Sequence, residues 1–355
     1  MVRCIRGLPR RKCLISRYFL REFLAVLVFL VWVPGASGDG IPHQVLAFYY
    51  GWWGTPQVSG HWMHWKGDDP VNKQTEDTAD FPAFGPYDSH DSATVDRQVA
   101  MARSAGITGF IASWWGPDSF EDQGMPLLLA VAVTHGLAVS AYYEKIDGAD
   151  AASREASAIA DLGYLLRQYG RNPGWLRAHG RPVVFVYGRA VHQLSPDEWQ
   201  HVAAQVRRGS PGGLVLVGDT FETKYAATFD AKSAYNITGQ THHKTPTQIR
   251  EWAHLAYPHI VAEAGPGKIS TVTVIPGYDD RKMGRPPPRP VTDRWNGETY
   301  RVLWREAVAA TPDYVLITSW NEWHEGTEIE PSVEYDSVNL SDTAAFARQF
   351  LAGQK

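Results

Sequence analysis

Short apolar runs alternate with longer amphipathic segments from residue 45 to the end of the chain. Seven strong runs, bounded by Gly, Pro or polar residues, predict β-strands at 45–53, 107–116, 137–144, 181–189, 213–221, 269–279 and 313–323. A weaker run predicts one more strand at 234–241. The segments between the runs predict helices at 92–105, 123–136, 151–169, 195–208, about 222–231, 245–263, 297–311 and 341–353.

This alternation of strands and helices predicts a sheet with parallel strands. Parallel neighbours are joined by right-handed crossovers, and runs that are apolar on both faces predict a sheet covered all round. Eight such units predict an α/β fold, a (β/α)₈ TIM barrel that forms a single catalytic domain over residues 39–355. The alternative is a doubly wound open sheet, but no glycine-rich phosphate turn follows the first strand.

Aromatic and acidic residues concentrate at the carboxyl ends of the predicted strands. These ends read YYGWWG, SWWG, YYE, GDTF, PGYDD and SWNEWHEG. In a barrel of this kind the active site is built at those ends. Large aromatic residues could instead fill a wide core, but a core made only for packing would favour Leu, Ile and Val. The pattern therefore predicts a functional cavity.

The first 38 residues have the order of a secretory signal. Seven basic residues lie within positions 1–21, an apolar run follows at Phe23–Val33, and Ala36-Ser37-Gly38 fits a small-residue cleavage site. An uncleaved anchor is the alternative, although a spanning helix needs about 20 apolar residues. We expect residues 1–38 to be a signal peptide and the protein to be secreted or periplasmic. If the segment is retained, the catalytic domain would be anchored outside the cytoplasm.

Charge and cysteine content narrow the function further. Both cysteines, Cys4 and Cys13, lie in the predicted signal, so residues 39–355 offer no disulfide and no thiol chemistry. Those residues carry 27 Lys and Arg against 37 Asp and Glu, a formal net charge of -10. Nucleic-acid binding needs clustered basic residues, so this class is excluded. Contact with a membrane is expected only through an uncleaved N-terminal segment.

Glu322 and Glu325 are the leading catalytic candidates. They lie three residues apart just past the last strand, among Trp320, Asn321, Trp323 and His324. Aromatic faces suit sugar rings, and hydrolysis of a glycosidic bond needs one protonated acid and a second carboxylate. Repulsion between two such groups keeps one of them protonated. Glu328 and Glu330 are expected to be solvated loop carboxylates instead.

Several stretches of this sequence resemble glycoside hydrolase family 99. They are VLAFYYGWWGTPQVSGHWMHW at 45–65, PYDSHD at 86–91, SWWG at 113–116, IPGYDDRK at 275–282 and SWNEWHEGTEIEP at 319–331. The resemblance covers nearly all of residues 39–355 in one order. It departs from the family at YYGWWG, at Glu328 where glutamine is more usual, and before PYDS, where a histidine-proline is absent. These departures bear on the subsites and the natural glycan.

The resemblance implies a (β/α)₈ endo-α-mannosidase or endo-α-mannanase that retains anomeric configuration. It implies that Glu322 is the base for the 2-hydroxyl of the sugar, giving a 1,2-anhydro intermediate, and that Glu325 is the acid/base. No cofactor is expected, and the substrate is an oligo- or polysaccharide such as α-mannan or an N-glycan. Tyr235 is a candidate from the sixth strand region. The other expected substrate-binding residues are Tyr50, His64, Trp114, Glu144, Tyr278, Asp279, Asn321 and Trp323.

Other readings of the same residues stay open. One glutamate could attack directly as a nucleophile, because residue spacing alone does not separate that mechanism from participation of the 2-hydroxyl. A carbohydrate-binding protein on the same barrel is a second alternative, although binding alone needs no acid/base pair. His61 with His64, or the adjacent pair His242 and His243, could suggest a metal site. The chain has no zincin pattern around them, and we expect no metal.

Overall fold

The computed structural model describes residues 42–68 and 72–353. The predicted signal peptide and both cysteines lie outside these ranges. The strands within the ranges are β1 (Gln44–Tyr49), β2 (Gly109–Trp114), β3 (Ala138–Tyr143), β4 (Arg177–Ala178), β5 (Arg181–Val186), β6 (Val215–Asp219), β7 (Ala231–Ser233), β8 (Thr271–Val274), β9 (Tyr278–Asp279), β10 (Val291–Thr292) and β11 (Tyr314–Ile317).

Eight parallel strands form a barrel. Their order is β7-β6-β5-β3-β2-β1-β11-β8, and a parallel bridge between Ala231 and Ile269 connects the two ends of that row. The first strand therefore lies beside the last, with Gln44 paired to Tyr314. This closure confirms the predicted (β/α)₈ barrel and excludes the open sheet, which would leave two edges. Outside the ring, β4 pairs with β5 and β9 with β10, both antiparallel.

Helices follow most barrel strands. They are α1 (Ser92–Ser104), α2 (Phe120–His135), α3 (Ala151–Gln168), α4 (Gly188–His192), α5 (Pro196–Gly209), α6 (Thr238–Thr241), α7 (Pro246–Ala264), α8 (Glu298–Ala310) and α9 (Val338–Ala352). The predicted starts of the helices at 195–208 and 245–263 are confirmed, because Ser195 and Thr245 both form capping boxes. Gly136 ends α2 with φ 65°, a conformation that most side chains disfavour.

Two apolar layers follow from the period-2 alternation of strand side chains. Leu46 and Phe48 of β1 pack inside the barrel with Phe185 of β5. Val45 and Ala47 point the other way, into the layer between the strands and the helices. At the carboxyl end of each strand, the inward-pointing side chains reach the open end of the barrel. The same alternation therefore determines which side chains can line a site there.

The sixth barrel strand lies earlier in the chain than predicted. It is β7, whereas the predicted strand at 234–241 is loop followed by the short helix α6. The side-chain Oδ1 of Asn236 accepts from the backbone N–H of Thr238 at 2.7 Å, which turns the chain there. The helix predicted at about 222–231 is only a 3₁₀ turn at Thr223–Tyr225. A three-residue strand is too short to give a periodic apolar signal.

Asp122 joins the top of β2 to the helical layer and offers a stability test. Its buried carboxylate accepts from Trp114 Nε1 at 2.7 Å, from the hydroxyls of Tyr164 (2.7 Å) and Tyr169 (2.9 Å), and from the backbone N–H of Asp118. Asp122→Ala leaves these donors unpaired. We expect it to lower the free energy of unfolding by about 4 kcal/mol, measured by urea denaturation.

A matched control is Asp96→Ala. Asp96 is mostly exposed and contacts only the ring of His135 among the ion pairs of the described chain. Its loss should change the free energy of unfolding by less than about 1 kcal/mol. Equal effects of the two substitutions would contradict the role given to Asp122.

Candidate active site

The segment after β11 folds back on itself and carries both candidate carboxylates. Ser319 N–H donates to Thr327 O at 2.7 Å, and Ile329 N–H returns to Ser319 O at 3.0 Å. The Ser319 hydroxyl accepts from the backbone N–H of Glu322 at 2.8 Å. Trp320 N–H donates to Phe48 O, which attaches the segment to β1. The apolar strand is thus followed by a loop whose own hydrogen bonds fix its shape.

Gly326 permits the reversal of this loop. Its φ is 58°, in the left-handed region, and a Cβ there would come within 2.9 Å of Ala79 Cβ. The backbone N–H of Asp279 lies beside it and donates to Glu325 O at 2.7 Å. A side chain at position 326 would therefore strain the backbone and displace the loop that holds Glu325.

Asn321 fixes the loop to the first strand end. Its Oδ1 accepts from Tyr50 N–H at 2.7 Å, and its Nδ2 donates to Tyr50 O at 2.9 Å and to the Tyr87 hydroxyl at 3.0 Å. Trp323 Nε1 also donates to the Tyr87 hydroxyl, at 3.0 Å. The Tyr87 hydroxyl in turn donates to Glu330 Oε2 at 2.7 Å.

The prediction that Glu328 and Glu330 are solvated is wrong. Glu328 is 1% exposed and Glu330 4% exposed. Glu328 forms a buried ion pair with Arg294. Glu330 accepts from Gln98 Nε2 at 2.8 Å as well as from Tyr87, and burial raises its pKa to about 7. Both carboxylates stabilise the loop after β11 on the side away from the cavity. The sequence could not show this, because their partners are distant along the chain.

A cavity of about 640 Å³ opens at this end of the barrel. Its aromatic lining residues are Tyr50, Trp52, Trp115, Tyr187 and Tyr235. Its carboxylates are Glu76, Asp77, Glu144, Glu322 and Glu325. Its volume lies in the range of about 300–1,000 Å³ typical of ligand pockets, and the mixture of rings and carboxylates suits a carbohydrate.

The structure brings together six of the residues that the sequence predicts for the site. Tyr50, His64, Glu144, Tyr235, Glu322 and Glu325 all line the cavity. They come from five positions relative to the strands: the end of β1, its following loop, the end of β3, the loop after β7, and the loop after β11, which carries both Glu322 and Glu325. Their convergence depends on the closed barrel, which sets the first strand beside the last.

Three other predicted residues lie behind the lining. Trp114 is fully buried and points toward Asp122, and Trp323 packs with Trp53, Trp65 and Tyr87. Asn321 is also fully buried and acts on the loop. These three side chains therefore lie too deep to contact a ligand in the cavity.

The β9 residues Tyr278 and Asp279 lie beside Glu325. The Tyr278 hydroxyl is 3.3 Å from Glu325 Oε1 and 3.1 Å from Asp280 Oδ2. The Asp279 carboxylate pairs with Arg281 rather than pointing into the cavity. Tyr278 thus touches the candidate acid/base, whereas Asp279 contributes its backbone N–H to the loop.

Glu325 has the environment of a carboxyl group that stays protonated near neutral pH. Burial and the charge of Glu322 raise its pKa to about 7, against the hydrogen bond from Tyr235 and the charge of Arg285. Tyr235 donates its hydroxyl to Glu325 Oε2 at 3.0 Å, and Arg285 lies 3.8 Å from Oε1. A group poised in this range can both give and take a proton.

Glu144 is a third carboxyl group in the cavity. Burial raises its pKa to about 8, opposed by the hydrogen bond from Ser113 Oγ, at 2.7 Å, and by the charge of Arg189. The charge of Glu322 adds to the increase. At neutral pH Glu144 is therefore mostly a neutral group that can donate a hydrogen bond to a sugar hydroxyl.

Sequence reasoning missed Trp115, Tyr187 and Arg189, all of which line the cavity. Alternation could have found the first, because Ile111 lies inside the barrel and every second residue after it is Ser113 and then Trp115. Trp115 Nε1 donates to Ser113 Oγ at 3.0 Å. The fourth strand end, VYGR, gave no acidic or tryptophan signal, yet it supplies Tyr187 and Arg189.

The described residues also bear on metals and membranes. Within 42–68 and 72–353, no group of three or more His, Cys, Asp or Glu side chains is arranged to hold a metal ion. No helix in the same ranges is long and apolar enough to span a membrane.

Comparison with known proteins identifies the family. The profile of Glycosyl hydrolase family 99 matches residues 41–344. The chain belongs to this family. It is therefore a glycoside hydrolase, and the cavity at the carboxyl ends of the strands is the candidate active site of a family 99 enzyme.

Relatives of the family 99 chain include mammalian and bacterial proteins. The rat "Glycoprotein endo-alpha-1,2-mannosidase" is 26% identical over 335 residues, covering 83% of this chain and 69% of the relative. The solved family 99 endo-alpha-mannosidase from Bacteroides thetaiotaomicron, in complex with bis-tris-propane, has a TM-score of 0.70 and 26% identity. That match covers 86% of this chain and 97% of the solved one.

A further solved structure, described as a "Glycoside hydrolase-like protein", is 16% identical with a TM-score of 0.66. At that identity it supports the fold alone. The family 99 assignment rests on the profile match, and the barrel seen here is consistent with it.

Proposed function

We propose that this family 99 hydrolase is an endo-acting, retaining enzyme that cleaves internal α-mannosidic or closely related α-glycan linkages. The observation that carries the proposal is the pair Glu322 and Glu325 in one cavity, where burial and repulsion favour a protonated Glu325. The relatives' description as endo-α-mannosidases supports the linkage and the endo action. We place the catalytic domain at residues 39–355.

Glu322 acts as the base in the first step. Its carboxylate takes the proton from the 2-hydroxyl, and the 2-oxygen attacks C1 of the same sugar. Glu325 donates its proton to the departing glycosidic oxygen as the C1–O bond breaks. The products are a 1,2-anhydro sugar and the released glycan, and both glutamates have exchanged their protonation states.

Water completes the reaction. Glu325, now ionised, removes a proton from water as the water oxygen attacks C1, and Glu322 returns its proton to the 2-oxygen when the ring of the anhydro sugar opens. C1 is inverted twice, so its configuration is retained. The two glutamates end as they began, and no cofactor enters the proton balance.

The cavity wall supports glycan binding around this pair. Tyr50 and Trp52 stand at the end of β1, with ring centroids 4.5 Å apart, and Trp115 follows β2. These rings offer apolar faces to sugars, while Glu144 and Arg189 offer polar groups to hydroxyls. We propose that Trp115, rather than Trp114, is the sugar-contacting tryptophan of this strand end.

The location proposed for the enzyme is secreted or periplasmic. The supporting observation is the sequence of residues 1–38, with its basic region, apolar run and small-residue site. If the segment is retained, it would anchor the enzyme outside the cytoplasm. A glycan is the proposed partner in either case.

Product analysis tests the function. The purified full-length protein is incubated with an α-1,2/α-1,3-linked mannan and with a glucosyl-mannose oligosaccharide, and the products are separated by size. We expect disaccharides or longer products, because an endo enzyme cuts within the chain. Release of monosaccharides alone would contradict endo action, and glycan binding without products would favour a carbohydrate-binding protein.

A matched pair of substrates tests the role of the 2-hydroxyl. One oligosaccharide carries the hydroxyl on the sugar at the cleavage site, and its 2-deoxy analogue lacks it. The proposed mechanism predicts cleavage of the first alone, because the analogue has no internal nucleophile. Cleavage of both would favour direct attack by a glutamate.

A further inference from the structure

His324 lies between two carboxylates in the wall of the cavity. Its Nδ1 is 3.1 Å from Glu322 Oε1. Its Nε2 is 3.0 Å from the backbone oxygen of His64 and 3.7 Å from Asp77 Oδ2. The residue is only 6% exposed, so its imidazole forms hydrogen bonds mainly with other protein groups rather than with water.

The contacts of His324 define where its protons lie. A backbone carbonyl only accepts hydrogen bonds, so Nε2 carries a proton. Glu322 Oε1 accepts from the backbone N–H of His324 at 3.1 Å, and as a carboxylate oxygen it accepts from Nδ1 as well. With a proton on each ring nitrogen, the side chain is an imidazolium that faces Glu322 on one side and Asp77 on the other.

The same contacts leave one oxygen of Glu322 available. Both hydrogen bonds to its side chain end on Oε1, and no protein donor to Oε2 is found in the described part of the chain. Because Glu322 lines the cavity, Oε2 is the atom that can accept a proton from a bound sugar.

We infer that His324 is a positioning residue, the resident counterion that keeps Glu322 ionised and turns its Oε2 toward the sugar. This assigns the base role to Glu322 and leaves the acid role to Glu325. The inference rests on the proposed function, and it adds a positioning residue to the catalytic pair. Without such a counterion, two neighbouring buried carboxyl groups would compete for one proton on nearly equal terms.

The charges around His324 agree with the geometry. Burial lowers the pKa of His324, but the nearby carboxylates of Asp77 and Glu322, the second of them in hydrogen-bond contact, outweigh it and raise the pKa to about 10. His64 responds in the opposite way. Burial and the charge of His324 lower its pKa to about 4, against the charge of Asp77. Of the two adjacent imidazoles, His324 is thus charged and His64 neutral.

Among the residues that the structure describes, Glu325 has no comparable counterion. Its nearest cation is Arg285, 3.8 Å from Oε1, and that guanidinium lies closer to Asp280, at 3.0 Å. Its hydrogen bonds come from the neutral hydroxyls of Tyr235 and Tyr278. Within the described part of the chain, a buried cation therefore contacts Glu322 but not Glu325.

The backbone at His64 serves the same arrangement. His64 has φ 58°, a left-handed conformation that is uncommon for residues other than glycine, and its carbonyl oxygen accepts from His324. Its ring stacks on Trp52 with centroids 4.6 Å apart. The Trp53 ring lies 4.8 Å from the His324 ring on another side. Packing thus holds the imidazolium in place.

His324→Gln removes the charge and keeps a hydrogen-bond donor. On the acidic limb, at a fixed pH, we expect kcat on the oligosaccharide to fall about tenfold with little change in KM, because the binding surfaces remain while fewer molecules hold Glu322 ionised. The acidic limb of the kcat/KM profile should move up by about one pH unit, since a buried carboxyl group without its counterion ionises at higher pH. Unchanged kcat and an unchanged acidic limb would overturn the inference.

Asp77→Asn provides a second variant that leaves the Glu322 contact intact. It should shift the acidic limb in the same direction but less far. The matched control is His135→Asn, which removes a partly buried histidine at the end of the outer helix α2, paired with Asp96 of α1, and should leave the profile unchanged. An Asp77→Asn profile identical to wild type, together with an unchanged His324→Gln profile, would also count against the counterion.

Nitrogen NMR of the full-length protein with ¹⁵N-labelled histidine reads the counterion without turnover. The His324 signals, assigned by their loss in His324→Gln, should show two protonated ring nitrogens from pH 5 to about pH 9. One protonated and one bare nitrogen at pH 6 would overturn the inference. This readout is independent of the proposed function. A charged His324 in a protein that cleaves no glycan would contradict the proposed function alone. A neutral His324 in an active enzyme would contradict the counterion role alone.

Discussion

Replacement of Glu322 by glutamine should lower kcat by about four orders of magnitude while glycan binding persists. The amide has nearly the size of the carboxylate, so the backbone N–H of residue 322 can still donate to Ser319 Oγ, and the side-chain oxygen can still accept from the backbone N–H of His324. An amide cannot take the proton of the 2-hydroxyl, and the loss is the upper range for removal of a general base. Single-turnover rates and calorimetric binding of an oligosaccharide measure the two quantities separately.

The control for Glu322→Gln is Glu263→Gln. Glu263 lies on the outer helix α7 and pairs with His259 at 3.7 Å, one turn earlier. It should retain wild-type kcat. Normal turnover by Glu322→Gln would refute both the proposed mechanism and the role of His324, whereas loss of binding in parallel with kcat would indicate a damaged cavity.

Replacement of Glu325 by glutamine should produce a loss that depends on the leaving group. Glu325 is protonated below a pKa of about 7, so it can assist departure of a sugar oxygen at neutral and lower pH. We expect kcat/KM on a glycan substrate to fall about 10³-fold, and that on an activated aryl glycoside about tenfold, because a stable phenolate needs less protonation. The measurement is a comparison of the two substrates at pH 6.

The pH dependence gives a second criterion for Glu325. In the wild type, activity should fall as pH rises through about 7, because the acid loses its proton there. Glu325→Gln has no such proton to lose, so its residual activity on the aryl glycoside should show no basic limb near pH 7. An equal loss on both substrates, with the basic limb intact, would assign the acid role to another residue such as Glu144.

The fold could be predicted from the sequence because its strong signals agree with one another. Seven apolar runs fell on strands that the structure contains, and the caps at Ser195 and Thr245 fixed two helix starts. The sixth strand escaped because β7 has three residues, of which Lys232 is charged. Its place in the sheet depends on pairing with β6, a contact that no local pattern encodes.

The site was predicted where chemistry and strand ends coincide, as at Glu322, Glu325 and Glu144. Burial was misjudged for Glu328 and Glu330, because their partners Arg294, Gln98 and Tyr87 are distant in sequence. The choice of Trp114 over Trp115 is different in kind. There the alternation of strand side chains indicates Trp115 as the inward-pointing residue, whereas the prediction followed the resemblance of the SWWG motif and named Trp114.

The aromatic cluster behind the cavity has a spectroscopic consequence. Trp53 and Trp65 stack with centroids 4.0 Å apart, and Tyr87 and Trp323 complete the cluster. Chromophores held this close and this rigidly give strong near-ultraviolet circular dichroism. Trp52, at the cavity wall, packs against the same cluster. A glycan that covers its indole would change its emission, so the enzyme contains an intrinsic optical reporter of occupancy that remains readable when a variant has lost turnover.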